Sequence, residues 1–166
     1  MMQMHRVYLS AGGNIGNTAV VFRKALLRLN QTAGRVLRVS GMYRTEPWGD
    51  TPGGPFLNLV LELETTLSPV HLLQALHQAE REAGRKRISG AGYQPRVLDL
   101  DILMYDDLEL HTPELTLPHP LMEQRRFVLQ PLNELIPDYV HPVAGMTIRE
   151  LLSKCSDPCK VEATEN

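Results

Sequence analysis

The stretch Phe56-Leu57-Asn58-Leu59-Val60-Leu61-Glu62-Leu63 decides the fold. Its four leucines alternate with other residues, and a period of two belongs to a β-strand. Leu57, Leu59, Leu61 and Leu63 therefore share one face, while Phe56, Asn58 and Val60 share the other. The leucine face is expected to be core. Val97-Leu98-Asp99-Leu100-Asp101-Ile102-Leu103-Met104-Tyr105 repeats the pattern. Here Leu98, Leu100, Ile102 and Met104 are expected to face inward, so that Asp99 and Asp101 project together from the opposite face. Between the two strands, Ser68-Pro69 supplies an N-cap and a first-turn proline for a helix. Its apolar stripe is Leu72, Leu73, Leu76 and Ala79, and Gly84 ends it. His77 and Glu80, three apart, share a different side.

Upstream, residues 5–11 read as a strand running into a tight strand-to-loop turn at Gly12-Gly13-Asn14-Ile15-Gly16. Residues 18–31 carry Phe22, Ala25, Leu26 and Leu29 at helical spacing, and Val36 to Tyr43 reads as a second strand. Downstream, Asp106-Asp107 is a turn before a short strand at 108–110, and Thr147-Ile148-Arg149-Glu150 is a capping box opening a last helix. The elements run β-α-β-β-α-β. This predicts an α+β chain with a ferredoxin-like βαββαβ core, a mostly antiparallel sheet covered by helices, an extra hairpin and C-terminal helices. Residues 1–154 form the single expected domain, and 155–166 a polar, frayed tail.

Composition narrows the function. The 166 residues are 43 % hydrophobic and 22 % charged, an ordinary globular balance. A net charge of −2 argues against a general nucleic-acid or membrane-surface binder. No apolar run reaches the ~20 residues of a membrane helix, and Met1 to Arg6 lead into a strand without a signal-peptide pattern, so a cytoplasmic protein is expected. Cys155 and Cys159 are too few for a disulfide scaffold and, with only His141 near, short of a zinc set. They read as cytosolic thiols. Nothing demands an oligomer, and a monomer is expected.

The strongest chemical signal is Asp99-Leu100-Asp101. Two carboxylates on one strand face, ~7 Å apart, repel unless a cation neutralises them. By itself the pair also reads as a solvated face. Its neighbourhood favours a metal. Residues 85–96 contain Arg85, Lys86, Arg87 and Arg96 and no acid, whereas 97–109 contain five acids and no base. A cationic, glycine-containing loop beside paired carboxylates suits a metal-bound polyphosphate. No P-loop accompanies it, since Gly12 to Gly16 lacks the following Gly-Lys-Ser/Thr. His119, fixed between Pro118 and Pro120 and near Arg125-Arg126, reads either as a structural hydrogen-bonder or as a ligand contact. Phe127 alone reads as core.

Taken together, these residues resemble the 6-hydroxymethyl-7,8-dihydropterin pyrophosphokinases of folate synthesis, from about Val7 to Leu152. The resemblance rests on Pro95-Arg96-Val97-Leu98-Asp99-Leu100-Asp101-Ile102, Tyr43-Arg44-Thr45, Phe56-Leu57-Asn58, Pro118-His119-Pro120 and Arg125-Arg126-Phe127, in that family's order along the chain. It implies transfer of the β,γ-diphosphate of ATP to the pterin hydroxymethyl group, with release of AMP. It also implies that Asp99 and Asp101 bind two Mg2+ ions, and that Phe56 and Phe127 sandwich a pterin whose polar edge meets Asn58, Thr45 and Trp48. Arg85 and Arg96 would stabilise the transferring group, and His77, Glu80, Arg87, Arg96, Ile102, His119 and Arg125 would hold ATP. The partners implied are these two small molecules. The chain departs from the family at Gly92-Tyr93 (often Arg-Trp), Glu114 (often basic) and Gly13 (often Ser), which bears on loop contacts to ATP and not on the metal site. Two Gly- and Pro-bearing stretches, 45–55 and 85–95, are expected to act as lids, the second ordered first by Mg-ATP. The competing readings are another magnesium-dependent nucleotidyl or phosphoryl transferase using the same Asp pair, and a non-catalytic ferredoxin-like domain that binds an effector.

Overall fold

Alternation in residues 56–63 becomes the middle of a sheet in the computed structural model, which describes residues 2–46, 54–84 and 96–165. Trp48, Arg85, Arg87 and most of both expected lids lie outside the described residues. The chain begins with β1 (His5–Gly13), α1 (Thr18–Thr32), β2 (Arg35–Val39), β3 (Tyr43–Thr45), β4 (Phe56–Thr65) and α2 (Pro69–Glu82). It continues through β5 (Asp99–Tyr105), the hairpin β6 (Leu110–His111) and β7 (Thr116–Leu117), a 3₁₀ turn at Met122–Gln124, α3 (Arg126–Leu135), α4 (Ile148–Lys154) and β8 (Val161–Ala163). The main sheet has the order β5-β1-β4-β3-β8, with β2 also on β4 and every pairing antiparallel. This is the expected α+β architecture.

Helices cover both sides. On one, α1 and α2 bring Phe22, Leu29, Leu72 and Leu76 onto Leu9, Leu59, Leu61, Leu63, Leu98, Leu100 and Ile102. On the other, α3 and α4 set Val128, Leu129, Leu132 and Ile148 against Tyr8, Val60, Leu103 and Met104. The face that sequence alternation marks as non-leucine thus also carries a second core, at Val60 of β4 and Leu103 of β5. Met104 is buried, but in this second core and not with Leu98, Leu100 and Ile102. A register shift between Tyr8 and Leu9 puts Met104 opposite Tyr8 and Ile102 opposite Leu9, so one residue of β5 is extra and the alternation inverts beyond it.

The strand expected over 36–43 is two strands. Ser40 interrupts it: its backbone N–H donates to Val60 O (2.8 Å), and its hydroxyl accepts the Val60 N–H (2.9 Å), a side chain standing in for a carbonyl of the ladder. Two more expectations are corrected. Gly12 and Gly13 end β1 and belong to the sheet, the turn coming after them. Residues 161–163 are not part of a frayed tail, because they form β8, which extends the sheet beside β3 with Val161 opposite Thr45. The caps are as read: the Ser68 hydroxyl accepts the His71 N–H, and Thr147 and Glu150 form the capping box of α4.

Gly34, between α1 and β2, is fixed by space. A Cβ there would lie 2.2 Å from the carbonyl oxygen of Glu64, a backbone atom of the central strand that cannot yield without shifting the ladder. Gly34→Ala is expected to destabilise the fold by about 3 kcal/mol, a fall in melting temperature of about 6–12 °C for a chain of this size. A melt within 2 °C of the parent, on the order of the scatter expected from a surface change of ±0.5 kcal/mol, would show that the strand gives way easily.

Candidate active site

The pleat of three neighbouring strands builds the site. Asn58 of β4 lies opposite Gly12 of β1, and Gly12 lies opposite Asp99 of β5, so the three form one row across the sheet. Ser10 and Asp101 form the next pair on the same face. Gly12 keeps the row open, since a Cβ there would sit 2.9 Å from the Asn58 Oδ1. Here the second core stops short, and α3 begins just above.

A cavity of about 330 Å³ fills this end. Its walls include Phe56, Asn58, Thr45, Phe127 and Cys159, and its charged side holds Arg96, Asp99, Asp101 and Arg125. Asn58 is buried, and its amide donates to Thr45 Oγ1 at 3.1 Å. Phe56 and Phe127 are half-buried and border the same space. Phe127 also packs against the second core, so the ring expected to be core serves both. The Arg125 guanidinium stands 5.7 Å over the Phe127 ring, a cation–π distance.

A wider basin of about 520 Å³ shares Arg96, Asp99, Asp101 and Arg125 with this cavity and extends past His77, Glu80, Ile102, Glu114, Thr116 and His119. Every described residue that the sequence assigns to ATP therefore lines one basin. Glu80 is buried there and accepts the Leu100 N–H at 3.1 Å. β5 is an edge strand of the main sheet, and this carboxylate occupies one of its outward amides. Arg96 is half-buried and lies 3.5 Å from Asp99, close enough to offset part of the carboxylate's charge.

His119 is held from two directions. Its N–H donates to Leu103 O (2.8 Å) and its Nδ1 accepts the Leu121 N–H (3.1 Å), which leaves the proton on Nε2. Burial, then the nearby Arg125 charge, holds the imidazole below its usual value, against a smaller upward pull from Asp99. His141 behaves alike: burial lowers it, Glu123 opposes, and its Nδ1 accepts the Val143 and Ala144 N–H groups. Unfolded, both would titrate near 6.5. The unfolded chain then binds more protons just below that pH, so stability is full above about pH 6.5 and declines as pH falls toward the depressed values. An NMR titration is expected to find both imidazoles titrating below the ordinary value of about 6.5, with the melting temperature dropping from there toward pH 5. A melting temperature that rises over this window would contradict the sign.

Two contributors are missed by pattern reading. Gly12 reads as a turn residue, but its lack of a side chain opens the row. Asn14, part of a weak Gly-Asn signal, is buried and ties the site's margins together. Its backbone N–H donates to Arg96 O (2.8 Å), its Oδ1 accepts the Arg96 N–H (2.8 Å), and its amide donates to Gly54 O (3.3 Å). Among the described residues no group of three or more His, Cys, Asp or Glu gathers as a metal site. No helix among them is long and apolar enough to cross a membrane.

A family model described as 7,8-dihydro-6-hydroxymethylpterin-pyrophosphokinase matches residues 8–137. A 2-amino-4-hydroxy-6-hydroxymethyldihydropteridine pyrophosphokinase of Methylorubrum extorquens is 42 % identical over 163 residues, covering 98 % of this chain and all of its own. One from Porphyromonas gingivalis is 43 % identical over 140 residues, covering 83 % of this chain and 95 % of its own. Among solved structures, Plasmodium falciparum HPPK-DHPS with pteroate shares the fold at a TM-score of 0.74 and 17 % identity. That match covers 92 % of this chain and 42 % of the Plasmodium chain, so this protein spans less than half of it.

Proposed function

Because the chain belongs to the 7,8-dihydro-6-hydroxymethylpterin-pyrophosphokinase family, we propose that the aromatic-walled cavity takes the pterin and the wider basin takes ATP. The protein is an ATP-dependent pyrophosphokinase of folate synthesis. It transfers the β,γ-diphosphate of ATP to the hydroxymethyl group of 6-hydroxymethyl-7,8-dihydropterin. The hydroxymethyl oxygen forms a bond to the β-phosphorus, the bond from that phosphorus to the α-β bridging oxygen breaks, AMP leaves with the bridging oxygen, and the hydroxyl proton is released.

One observation carries the site reading: the two cavities meet at a shared quartet of Arg96, Asp99, Asp101 and Arg125. A transfer between two substrates needs its charged groups at such a junction. Asn58 and Thr45 then read the polar edge of the pterin, with Phe56 and Phe127 on its two faces. His119 offers Nε2–H as a neutral donor to ATP, beside His77, Glu80, Ile102 and Arg125. Arg96 faces the charge developing on the transferring group.

The donor set fits magnesium, a hard cation that takes carboxylate, water and phosphate oxygens. We assign Asp99 and Asp101 as holders of two such ions. When bound, magnesium offsets the triphosphate charge and polarises the phosphoryl oxygens. The roles of Arg85 and Arg87 at the phosphates and of Trp48 at the pterin edge rest on the sequence alone, as does ordered closure of the 45–55 and 85–95 segments. We further propose a cytoplasmic monomer, a reading that rests on the sequence alone.

Incubation with Mg-ATP and the pterin alcohol is expected to release AMP in step with pterin diphosphate. ADP in its place would point to another phosphoryl transferase, and neither nucleotide to a binding domain.

A further inference from the structure

Helix α3 starts without a cap of its own, since its N-cap residue, Arg125, makes no side-chain hydrogen bond to the first turn. The missing acceptor comes from 31 positions downstream. Asp157 Oδ2 accepts the Arg126 N–H at 3.0 Å, and Asp157 Oδ1 accepts the Cys159 N–H at 3.0 Å. The Arg126 guanidinium answers, Nε donating to Asp157 O (3.2 Å) and Nη2 to Cys155 O (2.8 Å). A carboxylate at a helix N-terminus is favoured by both hydrogen bonding and the helix dipole. The residue next to Arg126 is Phe127.

The same segment then runs to the other wall. β8 pairs with β3, placing Val161 opposite Thr45 and Ala163 opposite Tyr43, and Thr164 donates to Met42 O through both its N–H and its hydroxyl. Thr45 is the acceptor of the Asn58 amide. Midway between these two anchors, Cys159 lines the cavity with Phe56, Asn58 and Phe127. One short segment therefore grips the aromatic wall at one end and the polar wall at the other.

We propose that residues 155–163 are a strap that shapes the pterin cavity, with Asp157 as a positioning residue for Phe127 and Cys159 as part of the wall that the pterin covers. The proposal rests on the pterin reading of this cavity and concerns residues beyond the 8–137 matched by the family model. Cys155 packs against the second core and does not line the cavity, whereas Cys159 does, so ligand binding is expected to separate them.

Two measurements test the strap. In a Cys155→Ser chain, Cys159 is the one remaining thiol, and its alkylation by iodoacetamide is followed by intact mass with magnesium and a non-hydrolysable ATP analogue. Adding pterin is expected to slow alkylation several-fold beyond the effect of the analogue alone. Equal rates at saturating pterin would overturn the wall assignment. In the second, Asp157→Ala is expected to weaken pterin about fivefold, the loss typical of a helix cap, while the analogue's affinity stays within about twofold, the scatter of an uncoupled site. Asp157→Asn, which keeps one acceptor, should recover part of the loss. A parallel fall in both affinities, or no fall, would overturn the positioning role. If Asp157→Ala does not fold, the alkylation result decides. Phe127→Ala separates the two levels: if it binds pterin like the parent, the cavity reading falls, and if it alone loses pterin, only the strap does.

Discussion

Asp101→Asn is expected to lower turnover at least ~100-fold, because electrostatic stabilisation centred on a bound cation contributes several kcal/mol of barrier and each ~1.4 kcal/mol is a factor of ten. The substitution is nearly isosteric. Asp101 stands half-exposed on β5, opposite Ser10, and is part of neither apolar core, so the fold should survive. The melting temperature is therefore expected to stay near the parent value while the magnesium concentration for half-maximal rate rises. Asp99→Asn should act in the same direction and also release Arg96, 3.5 Å away. Turnover of Asp101→Asn within about threefold of the parent, less than 1 kcal/mol of barrier, would sink the assignment of this pair as the metal holders.

The second large effect concerns the aromatic wall. Phe127→Ala removes a stacking contribution of ~0.5–1.5 kcal/mol and an apolar contact of ~1.5–3 kcal/mol, together about 10²-fold in pterin affinity. The neighbouring basin, proposed for ATP, is not lined by Phe127, so ATP affinity should change little. Some stability should be lost as well, since the ring also packs against Val128's cluster under α3 and α4. Calorimetry with each ligand checks the split. If ATP affinity drops as much as pterin affinity, Phe127 acts only through the core.

The pairing of Phe56 with Asn58, and of Asp99 with Asp101, was legible because both rest on the two-residue period of a strand, a property of the backbone that needs no tertiary information. Helix caps at Ser68 and Thr147 were legible for the same reason: their donors and acceptors lie three residues apart. The inversion at Met104 was not, because a bulge changes parity without leaving a mark in local composition. Nor was the break at Ser40, where a hydroxyl replaces a carbonyl of a distant strand's ladder.

By itself, then, the sequence determined which residues share a face, where helices start, and that a basic stretch gives way to an acidic one after residue 96. Tertiary structure alone decided which faces meet. It set Asn58, Gly12 and Asp99 in one row through two antiparallel registers, turned a glycine of apparent turn character into the floor of a cavity, and brought Asp157 back to cap α3. Each of these is a contact between residues 31 to 87 positions apart. Local propensity carries no information about such contacts, because their geometry is fixed only when sheet register and helix packing close together.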